Sequence, residues 1–266
     1  MKIGFIGGGN MATAIIGGLL GAGTNAQDIC VFDTDADKLL SFASQGIVPA
    51  CDSCQVVREC DVVVLAVKPQ NYAEVLEHIS CEADLTKTFV SIAAGITIDF
   101  IREKLGVCCP VVRVMPNTPL LVGKGASALC FTDNVDDNIK SIVTDMFACS
   151  GVVEVFPEKD MNAIISVHGS SPAYFYLFAK AMADYAESVG IDRERAMNLI
   201  CATMEGSAKM LRDSGDDADT LINKVSSKGG TTIEALGRFY AHDIEGIFKE
   251  AMQACTKRAE ELASQS

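Results

Sequence analysis

The chain has 266 residues, 49% hydrophobic and 21% charged, which excludes a disordered or fibrous protein and leaves length for two domains. Its 35 acidic residues outnumber 22 basic ones, and the net charge of −13 sets up a field that repels polyanions, so nucleic acid is not an expected partner. No uncharged apolar run approaches the ~20 residues that span a bilayer, so no membrane partner is expected either.

Residues 2–6 form a short apolar run, followed at once by Gly7-Gly8-Gly9-Asn10-Met11-Ala12 and an apolar-periodic stretch to about Leu20. That order predicts strand, glycine turn, helix. Buried strands are expected at 28–32, 61–66, 88–92 and 110–114, each a β-branched run separated from the next by a helix-length segment. The alternation predicts an α/β fold with a doubly wound parallel sheet. Further strands are expected at 125–131 and 152–156, with a helix at about 135–149 between them.

After Pro157 the β-branched runs give way to helical patterns at 172–189, 193–213, 231–240 and 243–263. This puts a boundary near 157–162 and divides the chain into an α/β domain over 1–160 and an all-helical domain over 161–266. The first long helix opens with Ser171 as N-cap and Pro172 at N1, and stops at Gly190. Residues 173–186 are apolar on nearly every face, the pattern of a helix buried all round. About a hundred residues of helical domain can hardly enclose such a helix alone, so this domain is expected to be a subunit interface.

Eleven cysteines invite a disulfide framework, but Met-Lys-Ile-Gly-Phe leads straight into a strand with no signal-peptide architecture. The expectation is reduced, mostly buried thiols and a cytoplasmic location. Cys51 and Cys54 form a lone Cys-x-x-Cys, with Cys60 nearby and Cys108-Cys109 far downstream. A zinc site needs a second well-spaced pair or two histidines, so no metal is expected.

Gly7-x-Gly9-x-x-Ala12 matches the dinucleotide fingerprint in its proper context, after a strand and opening a helix. Backbone N–H groups of Gly8, Gly9, Asn10 and Met11 are expected to face phosphate from a helix N-terminus. Asp33 follows the second strand at the spacing of a ribose-binding acid. A carboxylate there accepts from a free 2′-hydroxyl and repels a 2′-phosphate, which leans towards NADH over NADPH. The competing reading makes Asp33 a solvated cap, with Thr34 or backbone amides holding the phosphate. Lys38 is the only cation in 33–40. Ala66-Val67-Lys68-Pro69 and Ala93-Ala94-Gly95 stand at the carboxyl ends of two strands, where ligands bind in such sheets, and their small residues let a flat nicotinamide lie against backbone. Lys68 is either a phosphate partner or a solvated lysine.

Residues 226–232, Ser-Ser-Lys-Gly-Gly-Thr-Thr, form a hydroxyl- and glycine-rich turn that opens a helix. Such a turn presents N–H groups and a positive dipole end, a nest suited to a carboxylate; the bland alternative is a capped loop without a ligand.

Six motifs in order resemble the pyrroline-5-carboxylate reductase family across essentially the whole chain. They are Gly7-Gly8-Gly9-Asn10-Met11-Ala12, Ala66-Val67-Lys68-Pro69-Gln70, Ser91-Ile92-Ala93-Ala94-Gly95, Val112-Arg113-Val114-Met115-Pro116-Asn117-Thr118-Pro119, Gly169-Ser170-Ser171-Pro172-Ala173-Tyr174, and Val225-Ser226-Ser227-Lys228-Gly229-Gly230-Thr231-Thr232-Ile233. The resemblance implies a Rossmann domain, a helical C-terminal domain that interlocks into homodimers and further into rings, and an oxidoreductase of proline biosynthesis that reduces a cyclic imine with NADPH or NADH. It also implies that Ile6, Gly7, Gly8, Gly9, Asn10, Met11, Asp33, Ala66, Val67, Lys68, Pro69, Ala93, Ala94 and Gly95 hold the dinucleotide. Ser227, Gly230, Thr231 and Thr232 are implied to hold the substrate, reaching the nicotinamide of a neighbouring subunit. Two positions depart from the family pattern: His168 stands for a serine and Lys228 for a proline. His168 is read either as a polar contact near the imine or as a wall residue.

None of the motifs contains a Tyr-x-x-x-Lys or His-Asp acid, and an imine brings its own proton. Thr232 is therefore assigned to the ring nitrogen as the catalytic hydroxyl, and Ser227 with the Gly230 and Thr231 amides to the carboxylate. The alternatives are another β-hydroxyacid-dehydrogenase-like NAD(P)-dependent reductase, with Lys180 as its acid, and a nucleotide sensor without turnover.

Overall fold

Val62, Val63, Val64 and Leu65 are all fully buried, because successive residues of a strand point to opposite faces of a sheet that is covered on both. The computed structural model describes residues 1–265. Its α/β part runs β1 (Ile3–Ile6), α1 (Asn10–Gly21), β2 (Ile29–Phe32), α2 (Ala36–Ser44), β3 (Val48–Pro49), α3 (Ser53–Glu59), β4 (Val62–Leu65), α4 (Tyr72–Ile79), β5 (Thr88–Ser91), α5 (Ile98–Leu105), β6 (Val111–Pro116), β7 (Gly125–Phe131), α6 (Asp137–Ala148) and β8 (Gly151–Val155). A short α7 (Met161–Ile164) and a π-helical turn, Ile165–Gly169, precede α8 (Ser171–Ser188), α9 (Arg193–Asp213), α10 (Ala218–Val225), α11 (Thr231–Ala241) and α12 (Ile244–Gln265).

The eight strands form one sheet in the order β3-β2-β1-β4-β5-β6-β7-β8. One face carries Val62, Val64, Val90 and Val112 against Ile15 and Ile16 of α1, Phe42 of α2, and Val143 and Phe147 of α6. The other carries Val63, Leu65, Phe89 and Val111 against Val56 and Val57 of α3, Leu76 and Ile79 of α4, and Ile101 and Leu105 of α5. Each such side chain contributes about 1.5–3 kcal/mol of transfer free energy, so helices are drawn to both faces. This is the doubly wound architecture expected from the alternation of runs.

The parallel order breaks once: β7 runs antiparallel to β6, with Val114 opposite Leu129, and β8 then pairs parallel to β7. Only residues 117–124 separate β6 from β7, too few for the crossover that a parallel neighbour needs. Two elements give little sequence signal. The edge strand β3 has two residues, one of them Pro49, which an edge tolerates. Helix α10 is opened by the Asp217 side chain, which accepts from the Thr220 N–H.

The chain divides into two compact units, one of residues 1–170 with 254 onward, the other Ser171–Gln253. The division lies beyond the residue-160 boundary read from the sequence, because residues 158–170 are tied to the sheet. Arg113 of β6, 3% exposed, bonds Asn162 Oδ1 at 2.6 Å and pairs with Glu158 at 3.5 Å. Met161 lies in the apolar core.

In the second unit α8 buries Pro172, Ala179, Ala183 and Ala186. Phe175, Tyr176, Leu177 and Tyr185 remain 56–69% exposed. One chain thus leaves part of this apolar helix uncovered, in keeping with the expectation that the helical domain cannot enclose it alone. No helix among the described residues is long and apolar enough to cross a membrane.

Candidate active site

The glycine turn is built by β1 ending between its two neighbours. Gly7 N–H donates to Phe32 O at 2.8 Å, and Ala66 N–H donates to Ile6 O at 2.8 Å, which draws the ends of β1, β2 and β4 together. Gly7 sits at φ +100°, and a Cβ there would lie 2.6 Å from Ala66 O, so only glycine fits. Gly9 differs: it is the N-cap of α1, no side chain caps the helix, and a Cβ on it would meet nothing within 4 Å. An uncapped helix N-terminus facing open space suits an anion, and this observation supports a fit between the turn and a pyrophosphate.

Asp33 closes this turn from the end of β2. Its Oδ2 accepts from Gly8 N–H at 2.7 Å, and its Oδ1 accepts from Asp35 N–H at 2.9 Å. Lys38 Nζ approaches both oxygens, at 3.2 and 3.3 Å. Burial pushes the Asp33 pKa up, but the Gly8 and Asp35 amides and Lys38 outweigh it and hold the carboxyl below its usual value. Gly8 N–H, read from the sequence as a phosphate donor, is therefore engaged by Asp33, and the open donors are those of the first turn of α1.

Ala66 and Val67 are half-buried and Lys68 and Pro69 exposed, just past β4. Ala93 and Gly95 are buried past β5, and a Cβ on Gly95 would lie 2.8 Å from the Cβ of Leu262. Tyr72, which sequence reasoning missed, braces these two strand ends: fully buried, its hydroxyl donates to Leu65 O at 2.7 Å and lies 3.1 Å from Ser91 Oγ. Burial raises its pKa beyond the ordinary tyrosine range, so it is a brace and no acid. The available signal was a lone aromatic just after the Lys68-Pro69 turn.

His168 is placed by the π-helical turn with Nε2 2.7 Å from Met115 O and Nδ1 3.0 Å from Ile164 O. A neutral imidazole carries one N–H, so the ring donates to one of these two carbonyls and the tautomer decides which. Asn117, also missed, completes the clasp: Nδ2 donates to His168 O at 3.1 Å and Oδ1 accepts from Ala126 N–H at 2.9 Å.

In the second unit the 226–232 segment opens α11 as read from the sequence. Gly230 is the N-cap, with no side-chain cap, and its N–H donates to Ser227 O at 2.9 Å. Gly229 takes φ +76° to make the turn. Ser227 and Thr231 are exposed, and Thr232 is half-buried in the first helical turn. The four substrate candidates thus share one tight turn and one open helix N-terminus, a donor set matched to a carboxylate. Lys180 pairs with Asp184 at 2.6 Å on the exposed side of α8, engaged as a helix-surface ion pair.

Comparison with known proteins agrees with both halves. A family model described as pyrroline-5-carboxylate reductase dimerisation matches residues 158–262, and one described as NADP oxidoreductase, coenzyme F420-dependent, matches residues 2–95. The pyrroline-5-carboxylate reductase of Haemophilus influenzae is 40% identical over 262 residues, covering 98% of this chain and 97% of the relative. The solved pyrroline-5-carboxylate reductase of Coxiella burnetii is 35% identical, covers 98% of both chains and superposes with a TM-score of 0.92. That of Plasmodium falciparum, solved with NADP bound, is 29% identical over 99% of this chain and 98% of its own, with a TM-score of 0.90. With a relative 40% identical across 98% of this chain and 97% of its own length, the chain belongs to the pyrroline-5-carboxylate reductase family.

Proposed function

We infer that this protein reduces L-1-pyrroline-5-carboxylate to L-proline with NAD(P)H, the last step of proline biosynthesis. Family membership over the full chain is the observation that carries the reading. A bound NADPH or NADH supplies the hydride. The rest is the work of the chain: the first-turn N–H groups of α1 bind the pyrophosphate, and the 66–69 and 93–95 strand ends give the nicotinamide a flat wall. Asp33, ionised, receives a ribose hydroxyl and favours NADH over NADPH.

Ser227 with the Thr231 amide holds the substrate carboxylate, Gly230 closes the turn through its own N–H to Ser227 O, and the Thr232 hydroxyl bonds the ring nitrogen while its charge changes. Positioning and electrostatics supply most of the rate, since the imine carries its own proton. His168 is read as a wall residue, its ring lying between the Met115 and Ile164 carbonyls and donating to one of them. Dinucleotide binding falls to residues 1–160 and substrate binding with dimerisation to 161–266, although 161–170 and 254 onward pack with the first compact unit.

The exposed aromatic face of α8 and a cavity of about 860 Å³ between α9 and α10, lined by Met210, Leu211, Leu221 and Ile222, support a homodimer and a ring of dimers beyond it. Eleven free thiols support a cytoplasmic location, although only Cys30, Cys60, Cys109 and Cys130 are buried, fewer than the sequence leads one to expect. The test follows NADH and NADPH absorbance separately with pyrroline-5-carboxylate. Imine-dependent oxidation of either is the expected result, and none with either overturns the enzyme reading.

A further inference from the structure

Away from the glycine turn, two thiols converge on one carbonyl. Cys54 in the first turn of α3 donates to His78 O at 3.4 Å. Cys81, in the 3-10 turn Ser80–Glu82 that follows α4, donates to the same oxygen at 3.8 Å. Both sulfurs thus lie within hydrogen-bond reach of one oxygen, presented from two adjacent elements. One helical turn along α3, Arg58 bonds Glu82 at 2.6 Å, and Lys87 Nζ holds the carbonyls of Arg58 and Cys60 at 3.2 and 3.0 Å. Helix and turn are therefore held in register around the thiol pair. Cys81 is exposed, whereas Cys54 is half-buried with its back on the apolar core.

We propose that Cys54 and Cys81 are a reversible oxidation site, closing to a disulfide that ties α3 to the turn after α4 when the enzyme meets hydrogen peroxide. The exposed Cys81 reacts first: its sulfur takes one peroxide oxygen, the O–O bond breaks, and Cys81 becomes a sulfenic acid as water leaves. The Cys54 sulfur then attacks the Cys81 sulfur, the S–S bond forms, the S–O bond breaks, and the oxygen leaves as a second water. Two thiols lose two hydrogens and one peroxide is reduced to two waters. Burial, and then Cys81 itself, keep the Cys54 thiol above its ordinary pKa, so little of it is thiolate and the exposed Cys81 is left to meet peroxide first. Disulfides of this transient kind occur in reducing compartments as sensors, and the ring closed here restricts the unfolded chain.

The experiment treats the full-length native enzyme with hydrogen peroxide, alkylates free thiols, digests without reduction and maps the peptides by mass spectrometry. A linked Cys54–Cys81 peptide, lighter by two hydrogens and released by dithiothreitol, is expected, with the Tm of the oxidised enzyme raised by a few degrees. Cys81→Ser is expected to leave Cys54 fully alkylated. A Cys51–Cys54 link in place of the Cys54–Cys81 link, or Cys81 carried to sulfinic acid with Cys54 still alkylated, overturns the proposal.

Discussion

Gly8 N–H lies 2.7 Å from Asp33 Oδ2, so the glycine turn commits one of its donors to a carboxylate 25 residues further along the chain. This bond makes Asp33 part of the turn's own scaffold as well as its candidate ribose partner. The two roles separate in Asp33→Asn, which removes the charge and keeps the shape. We expect the ratio of kcat/KM for NADPH to that for NADH to rise about tenfold, roughly the effect of one charge-assisted contact. A ratio unchanged from wild type refutes the assignment of Asp33 to cofactor choice.

The same variant has a pH signature. Asp33 has a folded pKa below its unfolded value near ~3.9, so its stabilisation is present above that value and is lost as pH falls through the folded one. Urea unfolding is expected to show Asp33→Asn about 1 kcal/mol less stable than wild type at neutral pH. The gap should close as pH drops below about 4, and a constant gap contradicts the ionised reading.

Gly7 and Gly9 separate fold from ligand. Gly7→Ala forces a methyl group to 2.6 Å from Ala66 O at a left-handed φ and is expected to destabilise by about 2 kcal/mol or more. Gly9→Ala meets no protein atom, so its Tm should stay near wild type while KM for NAD(P)H rises tenfold or so through intrusion into the pyrophosphate space. Equal loss of Tm in both variants would sink the distinction.

Thr232→Ala is expected to lower kcat/KM for the imine by about 10–100-fold, the scale of one lost charge-assisted hydrogen bond, with cofactor Kd nearly unchanged. Steady-state kinetics with isothermal titration of the cofactor separate the two effects.

His168→Gln is expected to leave the shape of the kcat/KM pH profile intact, since the ring lies against the backbone oxygens of Met115 and Ile164. His168→Ala is expected to cost about 1–2 kcal/mol of stability from the unmade backbone bonds. Disappearance of one limb of the pH profile in His168→Gln would return His168 to the chemistry.

The strands were legible because Val62 through Leu65 and their counterparts are β-branched or apolar without interruption, as two covered faces require. The glycine turn and the serine–threonine loop were legible because both are local: strand, turn and helix follow one another in the chain. What escaped was non-local. The Tyr72–Ser91, Asp33–Gly8 and His168–Met115 contacts join residues 19, 25 and 53 positions apart, and no periodicity marks either partner. The extent of the first unit was obscured for the same reason, since Asn162 and His168 look like the start of a helical region and are bound to β6.

Phe175, Tyr176, Leu177 and Tyr185, left in contact with water on a single α8, carry a thermodynamic consequence of their own. In the homodimer proposed above, covering these rings is a bimolecular event, so part of the native free energy would enter through mass action. The melting temperature of this enzyme then has no single value. It is expected to climb with the logarithm of protein concentration, and dilution alone, without heat or denaturant, to loosen the helices that carry Thr232.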